Sequence, residues 1–363
     1  MGDRLSIEAA RAEFDLGDLA YLDTPSQGVP TRAGAEALAR ALDAWRSGRA
    51  DYEDWEADAD VARIAVAALL GVPPGDVALV PTVAIAAALL AVSEPGGCVV
   101  VPEAEYRSNL YPWLTRQDVR LVEGTPLTDA ILEAIDERVS LVAVSSVQAV
   151  DGRAVDLARI VEAAHAHGAR VFVDATQGLG AVGRDLAASG ADAIAAAGYK
   201  FLLGGRGSGY LYLRPELQAL QPVAAGPRAS ADGGAYGPPY RLRDDAGRFD
   251  QSLAWHAWPP ARAGAELLAA VGADALERHA TGLVARVREG LAERGLAGRL
   301  APEEGPTPIV SVRCDDPEGV VAALAADGVR AAARGGAIRA GFHLFNDDEH
   351  ADRLVAGLAA AIG

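Results

Sequence analysis

Sulfur is scarce in this 363-residue chain, which has two cysteines and one methionine. Cys98 and Cys314 each stand alone in an apolar run, which excludes a disulfide framework and a cysteine-based zinc site. A reducing compartment is therefore expected, and no metal centre. Positive charge is also in short supply, with 33 basic residues against 50 acidic and a net charge of −17. An acidic surface of this kind attracts neither nucleic acid nor anionic membrane, so neither is expected as a main partner. A small anionic ligand stays open, because it needs only a local positive site. Long hydrophobic runs are missing too. The most apolar stretch, Val77 to Val92, is broken by Pro81 and Thr82 and falls short of the roughly 20 residues that a bilayer span requires. Met1 to Glu8 lacks the apolar core of a signal peptide. Internal repeats and low-complexity linkers are absent, and the expectation is a soluble cytoplasmic protein.

Apolar side chains make up half of the residues, enough for a large core and too many for a disordered chain. From about residue 30 to 215, helical and strand patterns alternate, which predicts a mostly parallel sheet covered by helices. The strand candidates are 77–80, 98–101, 120–122, 141–145, 170–174, 193–196 and 209–213. Helical patterns fall at 33–47, 58–70, 84–93, 108–115, 128–135 and 157–166, the last stopped by His167-Gly168. Residues 221–250 are irregular and rich in Gly and Pro, as in a segment that wraps an active-site mouth. Helices at 260–271, 275–292, 319–327 and 349–362, with strands at 309–314 and 337–342, then predict a small α+β unit.

Lys200 stands at the centre of the most informative stretch. Arg170 to Asp174 reads as a buried strand that delivers a carboxylate at its C-terminal end. One α/β unit later, Ala193 to Ala197 reads as a second strand and leads into Gly198-Tyr199-Lys200. A glycine-rich turn, Gly204 to Gly207, and a third strand, Gly209 to Leu213, follow. An acid and a lysine at the C-terminal ends of neighbouring strands face the crevice where open α/β sheets bind ligands. A carboxylate to hold a protonated ring nitrogen and a lysine to form a Schiff base are what pyridoxal phosphate needs from a protein.

With its ordered motifs, from Tyr21–Thr24 to the C-terminal helix, the chain resembles the class V aminotransferase and cysteine desulfurase superfamily of fold-type-I pyridoxal-phosphate enzymes. The resemblance implies an α/β large domain with a seven-stranded, mostly parallel sheet (residues 31–255). It further implies a small α+β C-terminal domain (256–363) and an N-terminal arm (1–30) that reaches the small domain and the active-site mouth. Roles follow residue by residue. Asp174 holds the pyridine nitrogen, and Lys200 is the Schiff-base lysine and proton shuttle. Gln177 and Ser146 bond the ring's phenolic oxygen, and Tyr106 stacks on the ring. Thr82 and Val83, where a strand opens into a helix, cradle the phosphate. Tyr199 replaces a histidine common before the lysine, and its hydroxyl takes over a phosphate bond. Arg339 clamps the substrate carboxylate, as a planar guanidinium suits it, and Ser26 lies on the substrate side. Residues 249–258 fall where relatives reach across a homodimer to the partner's phosphate. Here Ser252 replaces the usual Gly-Thr, and Trp255 and His256 are expected to line the substrate pocket.

One departure bears on the reaction. Persulfide-forming desulfurases carry a cysteine just ahead of the carboxylate-binding arginine, whereas Arg330 to Arg339 is short and has none. The resemblance is closest to the branch holding hercynylcysteine sulfoxide lyase-like and isopenicillin N epimerase-like proteins. β-Elimination from a cysteine-derived α-amino acid is therefore the expected reaction, with transamination or epimerisation as alternatives. A rival lies in Gly178-Leu-Gly180-Ala-Val-Gly183, which fits the dinucleotide fingerprint of a nicotinamide-dependent oxidoreductase. A fold that binds the cofactor without turnover is the remaining alternative.

Overall fold

The structure, a computed structural model, describes residues 4–93, 96–116, 118–183 and 185–363. Ile7–Arg11 (α1), Ala20–Tyr21 (β1), Arg32–Arg46 (α2) and Tyr52–Leu70 (α3) lead to the first strand of the main sheet, Val77–Leu79 (β2). Strands and helices then alternate through Val83–Ser93 (α4), Cys98–Pro102 (β3), Arg107–Leu114 (α5), Val119–Val122 (β4), Leu127–Glu133 (α6), Val139–Ser145 (β5) and Leu157–Ala166 (α7). Arg170–Asp174 (β6), Ala193–Ala197 (β7) and Gly209–Leu213 (β8) complete the sheet. Its strand order is β2-β8-β7-β6-β5-β3-β4. All neighbours are parallel except those of β8, which runs against both β2 and β7. The mostly parallel seven-stranded sheet expected from the sequence is thus present.

Side-chain parity along the strands makes two cores. Val171 and Val173 of β6 pack under one face, and Phe172 packs under the other. In β5, Val142 and Val144 part from Leu141 and Ala143 in the same way. Helix ends are set by local chemistry. Asp51 accepts from Glu53 N to start α3, and Gly71, at φ 71°, ends it in the left-handed region that glycine adopts without strain.

The chain continues through Trp258–Val271 (α8), Ala273–Glu293 (α9), Ile309–Arg313 (β9), Pro317–Ala326 (α10), Val329–Arg330 (β10), Ala332–Arg334 (β11), Ala337–Gly341 (β12) and Asp348–Ile362 (α11). Strands β11, β12 and β9 form an antiparallel sheet backed by α9, α10 and α11. β1 adds in parallel to β10, pairing Ala20 with Val329 and Tyr21 with Arg330. This pairing holds residues 22–28 over the end of the main sheet, where Gly28 N donates to Tyr199 O at 2.9 Å. No helix among the described residues is long and apolar enough to cross a membrane.

Two expectations need correcting. The boundary placed at residue 256 cuts off α8, yet α8 packs on α2 and α3, with Trp258, Ala261, Ala265 and Leu268 in the large unit's core. α9 makes the transition, since Leu276 belongs to that core and Leu283 to Leu291 to the small one. Between Asp174 and β7, the expected helix is absent among the described residues, and the chain crosses in successive turns. Gly180, Gly183 and Gly190 take φ values of 102°, 143° and 83°, which a right-handed helix excludes.

Candidate active site

Asp174 ends β6 and is 5% exposed. Its Oδ1 accepts from Thr176 N at 2.9 Å, and Thr176 Oγ1 accepts from Ala197 N at 3.1 Å, which ties this turn to the end of β7. Burial raises the carboxyl's affinity for its proton, while the Thr176 hydrogen bonds and the Lys200 charge oppose that rise.

Lys200 lies three residues beyond β7 and is 6% exposed. Its Nζ stands 5.3 Å from the centre of the Tyr106 ring and 5.8 Å from that of Tyr199. Burial pushes its pKa down to about 8, Asp174 opposes the shift, and Arg339 and Arg334 add to it. Such an amine is partly neutral, hence nucleophilic, near physiological pH. Lys200 is also the only lysine in the chain, all other basic residues being arginine. That count was available to sequence reading and singles out the one position where a primary amine is kept.

Thr82, Val83, Tyr106, Gln177 and Tyr199 line the pocket around Asp174 and Lys200. Thr82 Oγ1 accepts from Ile85 N at 3.2 Å, opening α4 toward the pocket. Gln177 donates through Nε2 to Pro25 O at 3.1 Å and leaves its buried Oε1 without a partner. Arg206, not singled out from the sequence, also lines the pocket, its guanidinium 5.8 Å from the Tyr199 ring.

On the small-domain side, β12 presents Arg339, which is 4% exposed. It donates through Nη1 to Ala149 O and through Nη2 to Ser26 Oγ at 2.8 Å, and Asp23 Oδ1 lies 3.9 Å away. Ala149 itself lines the Lys200 pocket, so the guanidinium sits at its rim. Burial and the neighbouring Arg334 push the Arg339 pKa down to about 10.

Four expected site residues lie elsewhere. Ser146 points to the opposite side of the sheet, into a cavity shared with Ala154 and Val182, and its buried hydroxyl has no partner. Ser145 lines the Lys200 pocket instead, because it pairs in register with Asp174 and so shares its face. Ser252 is exposed and outside the pocket of its own chain. Trp255 stacks on Tyr52 at 5.3 Å, and His256 sits 4.8 Å from both Trp45 and Trp55, in an aromatic cluster away from Lys200.

A buried network beside the site was not foreseen. Glu105 Oε1 accepts from Ser145 N at 2.6 Å and Gln148 Nε2 at 2.8 Å, and Oε2 accepts from Ser145 Oγ at 2.5 Å and Asn109 Nδ2 at 3.1 Å. Trp113 Nε1 donates in turn to Asn109 Oδ1 at 3.1 Å. Glu105, Asn109 and Trp113 follow an i, i+4, i+8 spacing, a periodic signal that the sequence does carry. Burial pushes the Glu105 pKa up to about 7 despite these donors.

The pocket's residues fit pyridoxal phosphate. Lys200 Nζ has no hydrogen-bond partner among the described residues. A buried carboxylate for a ring nitrogen, an unpartnered amide oxygen and a helix N-terminus for an anion surround the same space. A parallel sheet with this lysine and acid at its strand ends defines a fold-type-I pyridoxal-phosphate enzyme. The chain belongs to the aminotransferase class-V family, whose pattern it matches over residues 58–354.

The chain is similar to a probable cysteine desulfurase of Methanothermobacter thermautotrophicus, 36% identical over 43% of this chain and 40% of that protein. That match spans well under half of the relative's length. An uncharacterized aminotransferase, YcbU, of Bacillus subtilis is 29% identical over 83% of each chain. Among solved structures, the cystine C-S lyase C-DES in complex with its product cysteine persulfide superposes with a TM-score of 0.83. It is 20% identical, with 95% of this chain and 98% of that one covered.

Proposed function

We propose that this enzyme cleaves the Cβ–S bond of a cysteine-derived α-amino acid by β-elimination, without a persulfide-carrying cysteine. The observation that carries the reading is a pocket with Lys200 on its lining and Arg339 at its rim, and with no thiol among its described lining residues. Cys98 is buried at the start of β3 and Cys314 follows β9, both outside that lining. Their thiols are held protonated by burial, which makes them poor sulfur acceptors.

Asp174 would hold the pyridine nitrogen, Tyr106 the ring face and Gln177 the phenolic oxygen. The phosphate would lie at Thr82 and Val83, with Tyr199 and Arg206 beside it. The bound cofactor supplies an electron sink for the pair released at Cα. Arg339 fixes the substrate carboxylate, which turns the Cα–H bond toward Lys200. Lys200, its amine eased toward neutrality by burial, takes that proton. Sulfur departs with the Cβ–S bonding pair and is protonated. Uptake of water then gives pyruvate and ammonia, so that substrate and water balance thiol, pyruvate and ammonium. We further propose a homodimer in which Ser252, Trp255 and His256 face the partner's site.

The test incubates the cofactor-loaded protein with L-cysteine S-conjugates and quantifies thiol, pyruvate and ammonia. Equal amounts of all three, lost in Lys200→Ala, support elimination. An oxo acid that keeps the sulfur, or racemised substrate without pyruvate, would overturn it in favour of transamination or epimerisation.

A further inference from the structure

The hairpin that carries Arg339 carries a second guanidinium on the same face. Arg339 of β12 stands opposite Ala332 of β11, and Arg334 lies two residues beyond Ala332 on that strand. Residues opposite one another, and those two positions along, share a face of an antiparallel pair, so the two arginines are diagonal neighbours. Gly335 and Gly336, at φ 55° and 75°, close the hairpin directly after Arg334. Both side chains converge on one hydroxyl: Ser26 Oγ accepts from Arg339 Nη2 at 2.8 Å and from Arg334 Nη2 at 3.4 Å.

Their charge environments differ. Asp23 faces Arg339, but no carboxylate lies within ion-pair distance of Arg334 among the described residues. One carboxylate saturates one guanidinium through two parallel hydrogen bonds. A substrate α-carboxylate on Arg339 therefore leaves Arg334 without an anion. Space for one is at hand. Arg334 borders a 470 Å³ cavity lined also by Glu123, Val150, Asp151, Arg153 and Arg313, three arginines against two carboxylates. Val150 follows Ala149, which lines the Lys200 pocket and accepts from Arg339 Nη1, so the cavity lies beside the carboxylate clamp. Asp151 is engaged by Arg153 at 2.8 Å, and neither it nor Glu123 lies within ion-pair distance of Arg334.

We propose that Arg334 is a specificity residue that binds a second, distal carboxylate on the substrate's side chain. The substrate class is then an anionic S-conjugate of cysteine. The assignment rests on the reading of Arg339 as the α-carboxylate clamp.

The test compares S-carboxymethyl-L-cysteine with its neutral isostere, S-carbamoylmethyl-L-cysteine, on the cofactor-loaded enzyme. Dissociation constants come from titrating the visible cofactor band, and KM from thiol release. The charged conjugate should bind at least tenfold tighter to the wild type. Arg334→Gln should bring the ratio of the two constants close to one, and Arg334→Lys should keep most of the preference. Equal affinities in the wild type, or a preference that survives Arg334→Gln, would overturn the assignment of Arg334 alone. If neither conjugate nor L-cysteine perturbs the band, the amino-acid reading itself falls and the Arg334 assignment with it.

Discussion

Arg339 Nη2 donates to Ser26 Oγ at 2.8 Å, although 313 residues separate them. The bond joins the N-terminal arm to the last strand of the small sheet, and both meet at the rim of the Lys200 pocket. Arg339→Ala should therefore raise KM strongly while the cofactor stays bound. Losing a charge-assisted clamp of about 3 kcal/mol corresponds to roughly a hundredfold in kcat/KM. Steady-state kinetics beside the visible spectrum check this, and an unchanged KM for every accepted amino acid would remove Arg339 from the clamp.

The Lys200 amine, with its pKa near 8, sets a pH dependence. Only the neutral amine attacks the cofactor's carbonyl, so the rate at which apoprotein takes up pyridoxal phosphate should climb with pH and level off above about 8. The unfolded chain keeps this proton up to the ordinary value of 10.5, whereas the folded chain releases it near 8. Between those values the unfolded state binds more protons, and this residue makes apoprotein stability rise with pH. Stopped-flow absorbance reads the first effect and urea unfolding the second. An uptake midpoint near 10.5 would contradict the buried environment. With no other lysine in the chain, borohydride reduction followed by peptide mass mapping should place the cofactor on Lys200.

Glu105 receives four donors inside the protein. Glu105→Gln turns one acceptor into a donor that faces other donors, at a cost of about 1–3 kcal/mol. Denaturant unfolding of the holoenzyme should show that loss. The wild-type group has its pKa raised from 4.5 to about 7, so between those values the folded state binds more protons. Its contribution is complete below 4.5 and fades as pH rises toward 7. The glutamine variant should lack that slope.

Gly180 lies in the left-handed region at φ 102°, and a Cβ there would run into the backbone carbonyl of Phe201, the residue after Lys200. Gly180→Ala should destabilise by about 2 kcal/mol or more. It should also weaken cofactor retention, because relief of the clash moves the Lys200 turn. Thermal unfolding with and without pyridoxal phosphate measures both. Normal stability would show that the loop adapts.

The glycines at 178, 180 and 183 thus serve close packing of a crossover that has no helix among its described residues. Among the described residues no helix lies between them and β7 to present its N-terminus to a pyrophosphate, which removes the structural basis for the dinucleotide reading.

The main sheet, and the placing of Asp174 and Lys200 at its strand ends, were legible in the order of residues alone. Buried parallel strands must be short apolar runs, and such runs are legible without knowledge of their neighbours. Tertiary structure decided what depends on register and on distant chain. Ser145 displaces Ser146 because pairing with Asp174 fixes which side chain faces the pocket. Trp255 and His256 go to Tyr52, Trp55 and Trp45 because those rings stand nearby on neighbouring helices, a packing that no local pattern encodes. Ser26, Arg334 and Arg339 meet only because β1 pairs with β10 and the following hairpin turns back beside it. Side-chain chemistry is written residue by residue, whereas the convergence of three such groups on one hydroxyl exists only once strands far apart in the chain have paired.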